Sequence, residues 1–175
     1  MKFIKAYIKF IDKLNDKIGN WVSWLTALLT LVVCFDVFVR YFLRESSVGF
    51  QEFEWHLFAI IFLLSAAYTL KIDQHVRVDV IYTRLSDKKK AYVDFFGSLI
   101  FLIPFCVVLI MASKNFVINS FSMGETSPDA GGLPARYILK AVIPLSIFLL
   151  LLQGISLTFK SFLTIKTQNK FKEKN

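Results

Sequence analysis

The chain has 175 residues, of which 55% are hydrophobic and 19 are Phe, with a mean hydropathy of +0.55 and only 7 Gly and 4 Pro. That balance excludes an ordinary soluble domain of this size and reads as one integral membrane domain spanning residues 1–175. The net charge of +8 invites a nucleic-acid partner, but the basic residues cluster beside apolar segments, where membrane lipids account for them and no nucleic acid is required.

The first eighteen residues place Ile4, Tyr7, Ile8, Ile11, Leu14 and Ile18 at helical spacing with lysines between them. The pattern predicts an amphipathic interfacial helix over residues 1–19. The apolar run that follows, Trp21–Leu43, is longer than the core of a secretory signal and has no A-x-A-like site after it, so Met1 is expected near the mature start. This run is the first of four able to cross a hydrocarbon core, which takes about 20 helical residues. The others are Phe53–Leu70, Ala91–Ser113 and Tyr137–Phe159. None alternates as a barrel strand would, so an all-α protein of four transmembrane helices is expected.

Within the first span, Asp36 and Arg40 stand four residues apart with the acid first, a spacing that pairs them on one helix face. Charges at that depth are costly, and three readings stay open: a buried docking contact, a self-neutralising pair, or a proton relay. Cys34 and Cys106 both fall within apolar segments without C-x-x-C spacing, which fits small residues filling helix contacts. Glu52 and Glu54 precede the second span, where carboxylates complement the positive end of a helix dipole. They flank Phe53 and so point to different helix faces, which argues against a catalytic acid pair.

His56 and His75 sit nineteen positions apart at opposite ends of one helix, about 28 Å along its axis, too far to share one metal or haem. Beyond the second span, the connection carrying Val76, Val78 and Val80 fits a strand or a helix; a short interfacial helix avoids an unpaired strand edge and is the expectation. Pro104 and Pro144 lie inside the third and fourth spans, where each can kink its helix. Between those spans runs SMGETSPDAGGLPAR, a structured loop in which Gly131 and Gly132 are free to take positive φ and Pro134 is placed to open the last helix.

Sixteen of the 21 Lys and Arg lie in the N-terminal segment, the middle connection and the basic tail, residues 160–175. The positive-inside rule therefore places both termini and the middle connection in the cytoplasm, and the loops Arg44–Glu52 and Lys114–Arg136 outside. No phosphate loop, H-E-x-x-H or G-x-S-x-G motif is present, and no paired, Gly/Pro-broken inverted repeat builds a substrate site. Catalytic, substrate-binding and metal residues are accordingly expected to be absent, as is a cofactor.

Four pieces carry a family resemblance: RYF at Arg40 to Phe42, QEFEWHLF at Gln51 to Phe58, HVRVD at His75 to Asp79, and ETSPDAGGLPARYILKAVIP running on to LLQGI. Together they resemble the small membrane subunit of the tripartite ATP-independent periplasmic (TRAP) transporters, in the group labelled mannitol/chloroaromatic-type. The resemblance implies a four-helix inner-membrane protein paired with a large multispan permease, to which a periplasmic solute-binding protein delivers substrate. It further implies that substrate and Na⁺ sites belong to the large subunit and that this chain widens its static scaffold in an importer of carboxylates or 2-oxo acids. On that reading Asp36, Arg40, Glu52, Glu54, Trp55, His75, Arg77 and Asp79 fasten helix ends and the subunit interface. The outer loop, through Glu125, Ser127, Asp129, Gly131, Gly132 and Arg136, meets the permease or the binding protein. Two other readings remain: a small proton-coupled multidrug-type exporter using Asp36, and a haem-binding redox anchor using His56 or His75.

Overall fold

The computed structural model describes residues 1–73, 82 and 85–172, with side chains through residue 167. Five helices follow in chain order among these residues: α1 (Lys2–Phe38), α2 (Val48–Lys71), α3 (Asp87–Gly97), α4 (Ile103–Ser122) and α5 (Arg136–Lys172). A π-helical turn, Val39–Leu43, extends α1, and another, Ser98–Leu102, joins α3 to α4 into one long rod. The result is four rods long and apolar enough to cross a membrane, Lys2–Leu43, Val48–Lys71, Asp87–Ser122 and Arg136–Thr167. The all-α, four-span expectation holds. Residues 44–47 and 123–135 lie at one end of the bundle, the loop end; the chain termini lie at the other, the terminal end.

Local chemistry explains where the rods bend their hydrogen bonding. Pro104 has no N–H to offer the carbonyl of Ile100, and the backbone widens into the π turn that contains Ile100. The Ser98 hydroxyl steadies that turn, donating to the Asp94 carbonyl at 2.6 Å and lying 2.8 Å from the Thr158 hydroxyl of α5. At the C-terminal end of the Val39–Leu43 turn, Arg44 takes a left-handed conformation, φ 56°, which breaks the helix and turns the chain into α2.

Helix α5 packs against α1, α2, α3 and α4 and is the axis of the molecule. Its inward face is mainly polar: Ser146, Gln153, Ser156, Thr158 and Ser161 are buried beside Leu149, while Phe148 and Phe162 remain exposed. An apolar exterior around a core that mixes small and hydroxylated residues with Ile11, Val22, Leu57, Leu70 and Leu149 suits lipid, because apolar contact alone gains little between helices there, and close approach and hydrogen bonds add to it. Ala67, Ala91 and Cys106 fill the same core, and a Cβ added to Gly154 would stand 3.0 Å from the Leu102 side chain. Cys34, by contrast, is exposed on α1.

The N-terminal segment is helical, as its periodicity predicts, and it runs into the first span without a break at Lys2–Phe38. Ile11, Asn15 and Gly19 are buried along it. A Cβ at Gly19 would come within 2.7 Å of the Tyr68 ring, so α1 and α2 approach closely there. The Tyr7 hydroxyl donates to the Leu152 carbonyl of α5 at 3.2 Å, and its ring meets Phe159 edge-on.

Candidate functional site

At the loop end the loop before α5 folds over the start of α2 and closes on Glu52. Glu52 occupies the first turns of α2, near enough to the N-terminus for its carboxylate to reach out of the helix, and it is buried. The Ser127 hydroxyl donates to Oε1 at 2.6 Å, the Arg136 guanidinium donates to the same oxygen at 2.6 Å, and the Leu133 backbone N–H donates to Oε2 at 2.6 Å. Three short bonds to one carboxylate, two from charged or hydroxyl side chains and one from backbone, make this the most densely satisfied acid in the loop end.

The loop supplies those donors in the correct places because it is itself hydrogen-bonded. The Ser127 N–H donates to the Leu133 carbonyl at 3.1 Å, and the Gly132 N–H to the Asp129 carbonyl at 3.0 Å. Ser127 Oγ also accepts from the Asp129 N–H at 3.2 Å and from Arg136 at 3.3 Å. Gly131 takes the positive φ expected of it, 81°. Gly132 serves differently: a Cβ there would fall 2.3 Å from Ser127 Oγ and 2.8 Å from Glu52 Oε2, so glycine is required by close approach. Helix α5 starts at Arg136, two residues after Pro134.

A second bond set braces the base of the loop. Glu125 accepts from the Ser120 hydroxyl at 2.5 Å and pairs with Lys140, whose ammonium lies 4.2 Å from the Phe116 ring centroid. These partners, Lys140 foremost and then Ser120, hold the Glu125 carboxyl below its ordinary value of 4.5. The Arg136 guanidinium also stacks over Trp55, 5.6 Å from the ring centroid. Glu52, Trp55, Glu125, Ser127, Asp129, Gly131, Gly132 and Arg136 thus meet in one cluster.

Asp36, Arg40 and Glu54 stand beside it on the first two rods. Asp36 is 3% exposed and ion-paired with Arg40, whose side chain is 47% exposed, as their spacing predicts. Glu54 points to a different face of α2 from Glu52, and its Oε1 is buried without a partner among the described residues. His56 Nδ1 lies 2.6 Å from the Glu52 carbonyl oxygen, which requires that nitrogen to be the donor. His75, Arg77 and Asp79, and the short helix expected around Val76 to Val80, lie outside the described residues.

The terminal end carries a polar cluster that sequence reading does not single out. Asn15 Nδ2 donates to Gln153 Oε1 at 2.8 Å, with each residue only 1% exposed. Lys160 donates to Asp12 at 2.8 Å, Gln153 reaches the same carboxylate at 3.4 Å, and Lys71 pairs with Asp16. One signal was available: Asn15 follows Ile11 by four residues, so a fully polar amide interrupts the apolar face of the N-terminal segment. The partner, Gln153, lies 138 positions away, and periodicity contains no information about it.

Chemically the two clusters bind and position; neither has an open reactive group arranged for catalysis. Among the described residues no group of His, Cys, Asp and Glu is placed to hold a metal ion. The model of the family described as tripartite ATP-independent periplasmic transporters, DctQ component, matches residues 29–164 of the chain. No curated protein matches it.

Proposed function

We take as premise that the chain belongs to the DctQ component family of the tripartite ATP-independent periplasmic transporters, and propose that it is the scaffold of a sodium-coupled organic-acid importer. The family match covers well over half of the sequence and makes the chain a small permease subunit, non-catalytic and multi-pass in the inner membrane. Such a component works with a large permease subunit and a periplasmic solute-binding protein. The finer statements, that it is a scaffold, that Na⁺ drives transport through sites in the large subunit, and that the solute is a carboxylate or 2-oxo acid, are our reading.

One observation carries the scaffold role. Glu52, a buried acid of the loop end, receives three hydrogen bonds from Ser127, Leu133 and Arg136 of its own chain. A carboxylate so occupied ties α2 to the loop and to the start of α5, and its charge is committed to partners within the chain. Asp36 is likewise engaged by Arg40, which argues against the exporter reading, since a proton-coupled carboxylate must exchange its proton freely. The roles of Asp36, Arg40, Glu54 and Trp55 at the subunit interface, and of the Glu125–Arg136 loop against the permease or binding protein, belong to the same proposal.

Co-expression with the large permease and affinity purification in detergent provide the test. We expect the two subunits to co-elute, the reconstituted pair to import organic acids with added binding protein under a Na⁺ gradient, and this chain alone to transport nothing. Transport by the isolated chain that Asp36→Asn abolishes would reverse the conclusion in favour of the exporter.

A further inference from the structure

A groove of about 580 Å³ opens at the terminal end between the first turns of α1 and the end of α5. Its rim carries Lys5, Lys9 and Lys13, which follow one another every four residues and so line one side of α1 over about 12 Å. All three are exposed, whereas Ile8 and Leu163 inside the groove are half-buried. Asp12 and Asp16 also border it, and at first sight they offset most of the positive charge.

They do not, because each is engaged from behind. Asp12 is paired with Lys160 of α5 and Asp16 with Lys71 of α2. Among the described residues no carboxylate is paired with Lys5, Lys9 or Lys13. The clasp that joins the helices therefore consumes the groove's acids and leaves three ammonium groups in a row above an apolar floor. This arrangement sits on a rod that continues directly into the membrane.

We propose that this groove is a binding site for an anionic phospholipid of the leaflet nearest the chain termini, with its phosphate among Lys5, Lys9 and Lys13 and the upper part of an acyl chain against Ile8 and Leu163. Charge complementarity selects the phosphate, since ammonium groups at a membrane surface attract anionic headgroups. The apolar floor selects a lipid over a soluble anion, because a free phosphate has nothing to place there. The site is independent of the transport role: it requires only that the chain be folded in a membrane.

The test uses the small subunit purified with its permease partner, titrated in detergent with phosphatidylglycerol or phosphatidylcholine and read by native mass spectrometry. Phosphatidylglycerol is expected to bind preferentially, and K5Q/K9Q/K13Q to weaken that binding on the order of a hundredfold, from the attraction typical of each surface lysine. K5R/K9R/K13R keeps the charge and should retain binding, and K88Q/K89Q/K90Q, which removes equal charge elsewhere, should leave it unchanged. Unaltered elution of each variant complex verifies folding, and the arginine variant keeps the comparison informative if the glutamine variant fails. Equal binding of phosphatidylcholine, an equal loss in the K88Q/K89Q/K90Q variant, or displacement of the lipid by millimolar inorganic phosphate would overturn the assignment.

Discussion

Glu52 illustrates how a single side chain closes one end of this protein. It is buried among three donors, and exchanging it for an amide leaves the Arg136 guanidinium without its counter-charge and sets an NH2 group against one of the donors. Glu52→Gln is expected to cost about 3 kcal/mol, visible as a lower melting temperature of the detergent-solubilised protein. An unchanged melt would mean that the loop is held by other contacts. Gly132→Ala attacks the same cluster sterically, since its methyl group would overlap Ser127 Oγ, and should cost about 1–3 kcal/mol by overpacking.

Glu125 adds a pH dependence at the same scale. Its folded pKa lies below the ordinary 4.5, so its contribution to stability is complete above that value and disappears as the pH falls through the lowered one. Glu125→Gln should therefore reduce the melting temperature at neutral pH, with the gap to the parent protein closing in acid. Melts across a pH series check this, and a gap that stays constant into acid would contradict it.

Among the helices, α1 and α5 are joined by polar bonds in a setting where apolar contact discriminates poorly. The Asn15–Gln153 amide pair is nearly inaccessible, so neither side chain can turn to water when the other is removed. A double-mutant cycle on Asn15→Ala and Gln153→Ala should show a coupling of about 1 kcal/mol, near the upper part of the range for membrane proteins. Strict additivity in reversible unfolding would show that the pair contributes no specificity. The π turns belong to this scale too. The one at Ser98–Leu102 follows from a missing N–H at Pro104, and so was indicated by the sequence as a possible kink; the one at Val39–Leu43 contains no proline and had no such marker.

At the scale of the molecule, four rods and an asymmetric distribution of lysines and arginines set an orientation. If both termini are cytoplasmic, a cysteine introduced at Met123 in a Cys34→Ser/Cys106→Ser background will react with an impermeant maleimide in intact cells. A cysteine at Phe3 will react only after lysis. The reverse pattern would invert the topology, and with it the face on which the Glu125–Arg136 loop meets its partners.

The sequence by itself determined the number of membrane helices, their approximate extents, the Asp36–Arg40 pair and the family. Each of these depends on local composition or on residues within one or two helical turns. Motif likeness also singles out Glu52, Trp55, Glu125, Ser127 and Arg136, but as separate helix-end and loop residues, and it passes over Leu133, Ser120 and Lys140. Only the tertiary structure decided that Glu52 receives Ser127, Leu133 and Arg136 from 75 to 84 positions away, and that Asp12, Asn15 and Asp16 are engaged by α5 and α2. The physical reason is that helical periodicity reports which face of a helix avoids its surroundings, whereas the identity of the group that meets a buried polar atom depends on how separate helices pack. In a bundle whose outside is apolar and whose core holds many polar side chains, those pairings add a specificity that apolar contact alone does not supply.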